Sequence, residues 1–408
     1  VKRASYNRPM SATRAPPRNA IEAPPRAAGR SVRWPLGGVS VDQFLRDHWQ
    51  RRPLLVRGAV PDAPAPLSVD ALLELAGRDE VESRLVSASA GRWRLQHGPF
   101  DTASVPSLAR RRWTLLVQGV DLHDDRAHAL LARFRFVPDA RLDDLMISLA
   151  SDGGGVGPHV DSYDVFLLQA WGRRRWRRGW PRSRELVPAL PLKILAHFEP
   201  QHEFVLEPGD MLYLPPGWAH DGVADGPCMT CSIGFRAPSR HEFLSALLAD
   251  AAEAPGGADP RFGDAGRPAA ARPARLPEDL HAQLARWARD WRPTPAALDD
   301  FIGRYLTEPK PQVWFERAAP LSPKAFAVRA SRAGVQLDRR TRMSYRRRRL
   351  FVNGEGFQAG TVATRWLRRL ADERRLDPPS AAQAIADPAC SALLHQWHAA
   401  GWLRLGSI

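Results

Sequence analysis

Gly157-Pro158-His159-Val160-Asp161-Ser162-Tyr163-Asp164-Val165-Phe166 is the stretch whose reading decides this fold. In an extended strand, residues i and i+2 point to one side, so the His159 imidazole and the Asp161 carboxylate can approach the same metal. The run Gly153-Gly154-Gly155 just upstream leaves the backbone free to deliver them. A second histidine closes Leu214-Pro215-Pro216-Gly217-Trp218-Ala219-His220, sixty-one residues further on, far enough for a chain to cross a barrel and return. Two histidines and a carboxylate with open positions form the facial triad of non-haem Fe(II) oxygenases. His-x-Asp alone is common, and most histidines are structural. The specific part is Pro-Pro-Gly-x-x-His, placed after the turn and strand Glu207-Pro208-Gly209-Asp210-Met211-Leu212-Tyr213.

Downstream of the first motif stands Gly172-Arg173-Arg174-Arg175-Trp176. Period-two alternation puts Arg174 on the face of Trp176 and Arg173, Arg175 and Arg177 on the other. A buried Trp176 carries Arg174 inside, where an unpaired guanidinium is too costly and calls for an anion. Its planar fork suits a dicarboxylate co-substrate. Thr230 and Ser232 share a strand face and can add a hydroxyl to that carboxylate. Cys228 and Cys231 face opposite ways on a strand and read as small core residues rather than zinc ligands.

The surrounding pattern is many short strands with Gly and Pro punctuation, which predicts a barrel or sandwich. Pro53 to Gly58, then 82–86, 92–95, 113–117, 145–150, 165–169, 173–177, 203–206, 210–214 and 229–235 read as strands, with Trp171-Gly172 a turn between two of them. Phe44, Leu45 and Trp49 have helical spacing, as does the segment after Ser68. After residue 240 the pattern becomes helical, with Leu280, Leu284, Trp287 and Trp291 on one face and Leu298, Phe301, Ile302 and Tyr305 on another.

Composition excludes several classes. The 408 residues are 44% apolar and 25% charged, with 14 Trp, so the chain is globular. Three cysteines exclude a disulfide scaffold, and no apolar run is long enough for a membrane span or a secretory signal, which leaves a cytoplasmic location as the default. The net charge of +15 is local: residues 1–33 hold eight basic residues against Glu22, and 339–349 hold seven arginines and no acid. The remainder is nearly neutral, so overall basicity does not make this a nucleic-acid binder. The Pro- and Arg-rich leader 1–35 reads as disordered and the Ala/Pro/Gly-rich 254–273 as a flexible loop.

The chain resembles the bacterial JmjC ribosomal oxygenases, cupin-type arginine hydroxylases of large-subunit ribosomal protein L-sixteen. The matching stretches are Phe44 to Trp49 with Arg52 to Leu55, Pro138 to Asp144, Gly157 to Phe166 with Gln169, Gly172 to Trp176, Tyr213 to His220 and Ser232 to Pro238. Leu306 to Lys310 and Asn353 to Glu355 match the family's C-terminal part. The resemblance implies a mainly β plus α protein: a double-stranded β-helix (cupin/JmjC) at 36–240, a helical dimerisation region at 241–313 and a winged-helix domain at 314–408. It implies Fe(II) on His159, Asp161 and His220, with 2-oxoglutarate and O2 as co-substrates and the distal carboxylate on Arg174. It further implies a ribosomal protein substrate and a homodimer, with no membrane and no nucleic acid required. Ala140 stands where the family pattern has an aromatic residue.

A cationic substrate side chain near the metal needs carboxylates or phenols at the cavity mouth. The candidates are Asp152, Tyr163 and Asp164, with Asp143 and Asp144 upstream. The rival expectation is a transcription regulator, in which a cupin senses a small molecule and the arginine-rich C-terminal winged helix binds DNA.

Overall fold

The computed structural model describes residues 35–61, 65–89, 92–253, 261–266 and 274–406. The leader expected to be disordered and most of the loop expected at 254–273 lie outside them. The described chain divides into two compact units, 1–237 with 311–314, and 238–310 with 315–408. No described helix is long and apolar enough to cross a membrane.

The first unit begins with helix α1 (Val41–Asp47), started by the Ser40 side chain accepting from the Gln43 N–H. Strand β1 (Leu54–Val56) and helix α2 (Val69–Ala76), capped by Ser68, follow. Then come β2 (Ser83–Ser89), β3 (Arg92–His97), β4 (Trp113–Val117) and helix α3 (Asp125–Ala132). The remaining strands are β5 (Leu142–Ala150), β6 (His159–Val160), β7 (Val165–Gly179), β8 (His202–Leu206), β9 (Met211–Leu214) and β10 (Ala219–Phe235). They pair in the order β1-β9-β7-β10-β5-β4-β2-β3, with β6 added to β10 and β8 to β7.

Two long strands carry the architecture. The first half of β7 pairs with β9 and the second half with β8, so one strand serves two layers. β10 does the same, pairing β6 at its start and β5 at its end. The expected turn at Trp171-Gly172 is instead a bend within continuous β7, opposite a register shift in β10 between Asp225 and Met229. Gly172 has φ +65, and a Cβ there would sit 2.2 Å from the Pro227 carbonyl oxygen. Only glycine fits, so the breaker residue bends the strand without ending it.

Each strand then has two faces. Leu145, Ile147 and Leu149 of β5, with Phe166 and Leu168 of β7 and Cys231, Ile233 and Phe235 of β10, join one large core under the helices. Phe44 of α1 is fully buried there, with the Phe166 and Tyr213 ring centroids 5.5 and 4.9 Å away. The alternate residues, including Leu167, Trp176, Leu212 and Leu214, line a separate inner cluster. Cys228 and Cys231 fall in different clusters, and all three cysteines are buried and free.

The second unit holds helices α4 (Arg240–Glu253), α5 (Glu278–Asp290), α6 (Pro295–Thr307) and α7 (Pro323–Ala333). Beyond them lie β11 (Val335–Leu337), β12 (Met343–Arg346), β13 (Arg349–Val352), β14 (Glu355–Gln358), α8 (Thr361–Glu373), β15 (Arg375–Leu376), α9 (Pro378–Ile385), α10 (Pro388–Ala399) and β16 (Leu403–Leu405). The strands form two three-stranded sheets, β15-β11-β16 and β12-β13-β14. Phe326, Leu367, Leu370, Leu394 and Trp397 centre its own core.

Candidate metal centre

β6 and β10 pair so that His159 and His220 are directly opposite, which brings together residues far apart in sequence. Their ring centroids are 4.2 Å apart. The Asp161 carboxylate lies 4.0 Å from His159 Nε2 and 3.6 Å from His220 Nε2. One ligand atom from each of the three lies within 4.8 Å of the others, the separation a single ion spans.

The orientation of both rings is built in. His159 Nδ1 is 2.9 Å from the Gly157 carbonyl oxygen, and His220 Nδ1 is 3.1 Å from that of Trp218. A carbonyl only accepts, so each Nδ1 carries the proton and each Nε2 presents a lone pair toward Asp161. The carbonyl comes from residue i−2 in both cases. Burial, then the neighbouring His159, lowers the His220 pKa to about 4, so its imidazole is neutral and able to ligate at neutral pH.

Arg174 is 5% exposed and points inward, while Arg173 and Arg175 are exposed and paired with Asp225 and Glu203. Its Nη1 donates to Ser148 Oγ at 3.0 Å, and its Nε and Nη2 have no partner. A buried guanidinium with two free donors and no carboxylate is an anion site. These donors and the His/Asp/His set fit a first-row metal with a dicarboxylate beside it.

Ser148 is the hydroxyl that sequence reasoning missed. Its signal was position: alternation along β5 places it inward, directly opposite Thr230 of β10. Thr230 and Ser232 do lie on the inner face and are buried. Thr230 Oγ1 donates to Gln169 Oε1 at 2.9 Å. Gln169 in turn donates to the Trp171 carbonyl at the bend of β7.

The substrate candidates separate. Asp164 is corrected: it is fully buried and accepts from Tyr213 at 2.6 Å, Gln50 at 3.1 Å and Arg141 at 3.3 Å. Tyr213 belongs to the outer core, so Asp164 braces the fold instead of facing a cavity mouth. Asp152 is half-exposed, ion-paired with Arg111 at 2.6 Å, and accepts from the Gly226 N–H at 3.0 Å. Tyr163 remains exposed on one side; partial burial, then the Asp161 and Asp144 charges, push its phenol pKa up. Asp144 is buried and accepts from Gln118 at 2.7 Å, and Asp143 lies 3.6 Å from Arg236.

Two family models match separate parts of the chain: a JmjC domain over 129–243 and a ROXA-like winged helix over 283–404. An AraC-like ligand binding domain matches 197–299, a stretch that contains His220 but neither His159 nor Asp161. The "Ribosomal protein uL16 3-hydroxylase" of Escherichia coli is 44% identical over 216 residues, 53% of this chain and 56% of that protein. The match therefore spans about half the length of the curated relative. In three dimensions the chain is similar to ycfD of E. coli, with TM-score 0.78 and 32% identity, covering 90% of this chain and 98% of that one. It is also similar to YcfD, a ribosomal oxygenase from E. coli, in complex with cobalt and 2-oxoglutarate, with TM-score 0.76, 32% identity and coverage of 91% and 99%.

Proposed function

This chain belongs to the JmjC ribosomal oxygenases, and from that premise we propose that it is an Fe(II)- and 2-oxoglutarate-dependent hydroxylase of a ribosomal protein. The observation that carries the reading is the pair of sites on one inner face: three converging ligand atoms, and a buried guanidinium with two donors unspent. Among the described residues, no protein carboxylate pairs with Arg174, so its counter-charge comes from a small anion.

His159, Asp161 and His220 would hold the metal, and bound Fe(II) would supply dioxygen activation with 2-oxoglutarate as the reductant. The protein's own part is placement. The two carbonyl-bound Nδ1 atoms hold each ring in one tautomer and orientation. Arg174, steadied by Ser148, takes the far carboxylate of the 2-oxo acid and so orients its other end toward the three ligands. Trp176, 6.0 Å from the His220 ring, and Leu206 exclude water from that side. Tyr163 and Asp152 are the groups we assign to the substrate side chain, taken as an arginine of a large-subunit protein, with the reaction in the cytoplasm.

The same reading includes a homodimer through 241–313 and a C-terminal winged helix at 314–408. Helix α5 buries none of its residues, and Leu284 and Trp291 are 49% and 40% exposed. Those apolar groups gain cover in an isologous dimer, whereas a monomer by light scattering at micromolar concentration argues against it.

The function is tested by incubating the protein with Fe(II), 2-oxoglutarate and the ribosomal-protein peptide. The expected result is succinate formation coupled to gain of one oxygen atom by the peptide. Equal oxidation of the Arg→Lys and Arg→Ala peptides removes the arginine assignment, and no coupled succinate removes the hydroxylase.

A further inference from the structure

Beside the metal ligands lies a groove of about 910 Å3 whose wall includes Val160, Asp161 and Ser162. We propose that this groove binds the phosphate backbone of RNA, so that the substrate protein reaches the centre in an RNA-bound form; the second clause rests on the ribosomal reading above, the first does not. Its charge is the first observation. Arg46, Arg51 and Arg52 line one part of it and Arg184 and Lys193 another, against Asp47 and Asp161 alone among acids. Asp47 is engaged with Arg46 at 3.2 Å, and Asp161 faces the two histidines.

The remaining cations are uncompensated. Arg52 donates to the Asp47 backbone carbonyl at 2.7 Å, and Arg51 to that of Arg46, bonds that cancel no charge. Arg184 and Lys193 are exposed and have no ion pair among the described residues. On neighbouring β7 and the start of the loop after it, exposed arginines do have acids: Arg173, Arg175 and Arg182 pair with Asp225, Glu203 and Glu199. The shortage of acid thus begins at the groove.

The second observation is aromatic. Trp180 and Trp218 meet edge to face in the groove wall, ring centroids 5.7 Å apart, with Trp180 partly open. Cations that follow a backbone, interleaved with an indole on which a base can stack, are the elements of single-strand recognition. The third is exclusion. A basic ribosomal protein, and a substrate arginine above all, is repelled by so positive an approach. RNA carrying that protein is attracted by it, and the acidic partner the groove demands is then already part of the substrate.

The test uses the full chain and a fluorescein-labelled single-stranded RNA of about sixteen nucleotides, read by anisotropy across a salt series. The wild type is expected to bind with affinity that falls as salt rises. The double variant Arg184→Gln/Lys193→Gln is expected to lose about tenfold in affinity, and its log–log salt slope to become shallower by roughly 1.4, two phosphate contacts on a single strand. The variant Arg347→Gln/Arg348→Gln, at the other arginine cluster, is expected to bind like wild type. Wild-type affinity in the first double variant overturns the proposal. So does loss confined to the second, or equally tight binding of a poly-glutamate peptide, which would make the groove an acidic-protein site. Turnover of the free ribosomal peptide, run in parallel on the wild type, separates the two readings. Turnover without RNA affinity removes this inference alone, and RNA affinity with no coupled succinate from the substrate in either its free or its RNA-bound form removes the hydroxylase alone.

Discussion

Two arginine runs of similar composition, Arg173 to Arg178 on β7 and Arg346 to Arg349 at the β12–β13 hairpin, have opposite fates. On β7 the chain alternates between a packed inner face and solvent. Arg174 and Arg178 are buried without a carboxylate, while Arg173, Arg175 and Arg177 reach Asp225, Glu203 and Asp221. In the hairpin, Arg346 and Arg349 simply meet Asp299 and Asp300 of α6. A count of cations cannot tell these apart. What distinguishes them is what each face meets: Arg174 and Arg178 share the buried side of Trp176 with no acid beside them, whereas α6 brings Asp299 and Asp300 to the hairpin arginines, although Phe351 is buried two residues from Arg349.

The largest expected effect lies where the inward face meets the candidate metal ligands. Asp161→Ala should abolish turnover with little change in the thermal midpoint, because the carboxylate is partly exposed and braces nothing in the core. Unfolding of the variant, seen by circular dichroism, would break the division between chemistry and scaffold. Next is Arg174→Lys. Loss of the fork should weaken 2-oxoglutarate by about tenfold or more, roughly 1.5–3 kcal/mol for a charge-assisted bond. The check is the 2-oxoglutarate KM, with unchanged affinity sinking the assignment.

Arg178 sharpens the contrast in the other direction. It is 3% exposed, lies between the Phe204 and Trp218 rings at 6.0 and 5.6 Å, and has no acceptor. Burial alone lowers its pKa to about 10. Arg178→Met should be neutral within about 1 kcal/mol, since lost cation–π attraction offsets a relieved desolvation cost. A much larger loss in chemical denaturation would mean that the guanidinium has a counter-ion in solution. Smallest are the paired surface arginines. Arg349→Ala should cost about 1 kcal/mol or less, and Arg175→Ala should leave the thermal midpoint unmoved. A large effect of either would erase the distinction between the two runs.

Much of this was legible beforehand because it depends on local spacing. The i, i+2 relation of His159 and Asp161, the parity of Arg174 and Trp176, and the opposite placement of Cys228 and Cys231 follow from the pleat of a strand. Glycine was misread where its role was tertiary. Gly172 looked like a turn, yet β7 runs through it, because the deciding contact is with Pro227 on another strand. Asp164 looked like a cavity-mouth carboxylate, and only Tyr213, Gln50 and Arg141, from distant parts of the chain, make it a brace.

The sequence by itself determined which metal-ligating and anion-binding side-chain types stand at His159, Asp161, His220 and Arg174 and which strand face Arg174 occupies, since both are set by side-chain type and a two-residue period. The tertiary structure alone decided which distant residues meet. It set His159 opposite His220, put Ser148 on the guanidinium of Arg174, and gathered Arg46, Arg51, Arg52, Arg184 and Lys193 around one groove. The physical reason is register: alternation is fixed within a strand, but the partner across the ladder depends on bends and bulges, such as those at Gly172 and between Asp225 and Met229, that no local pattern encodes.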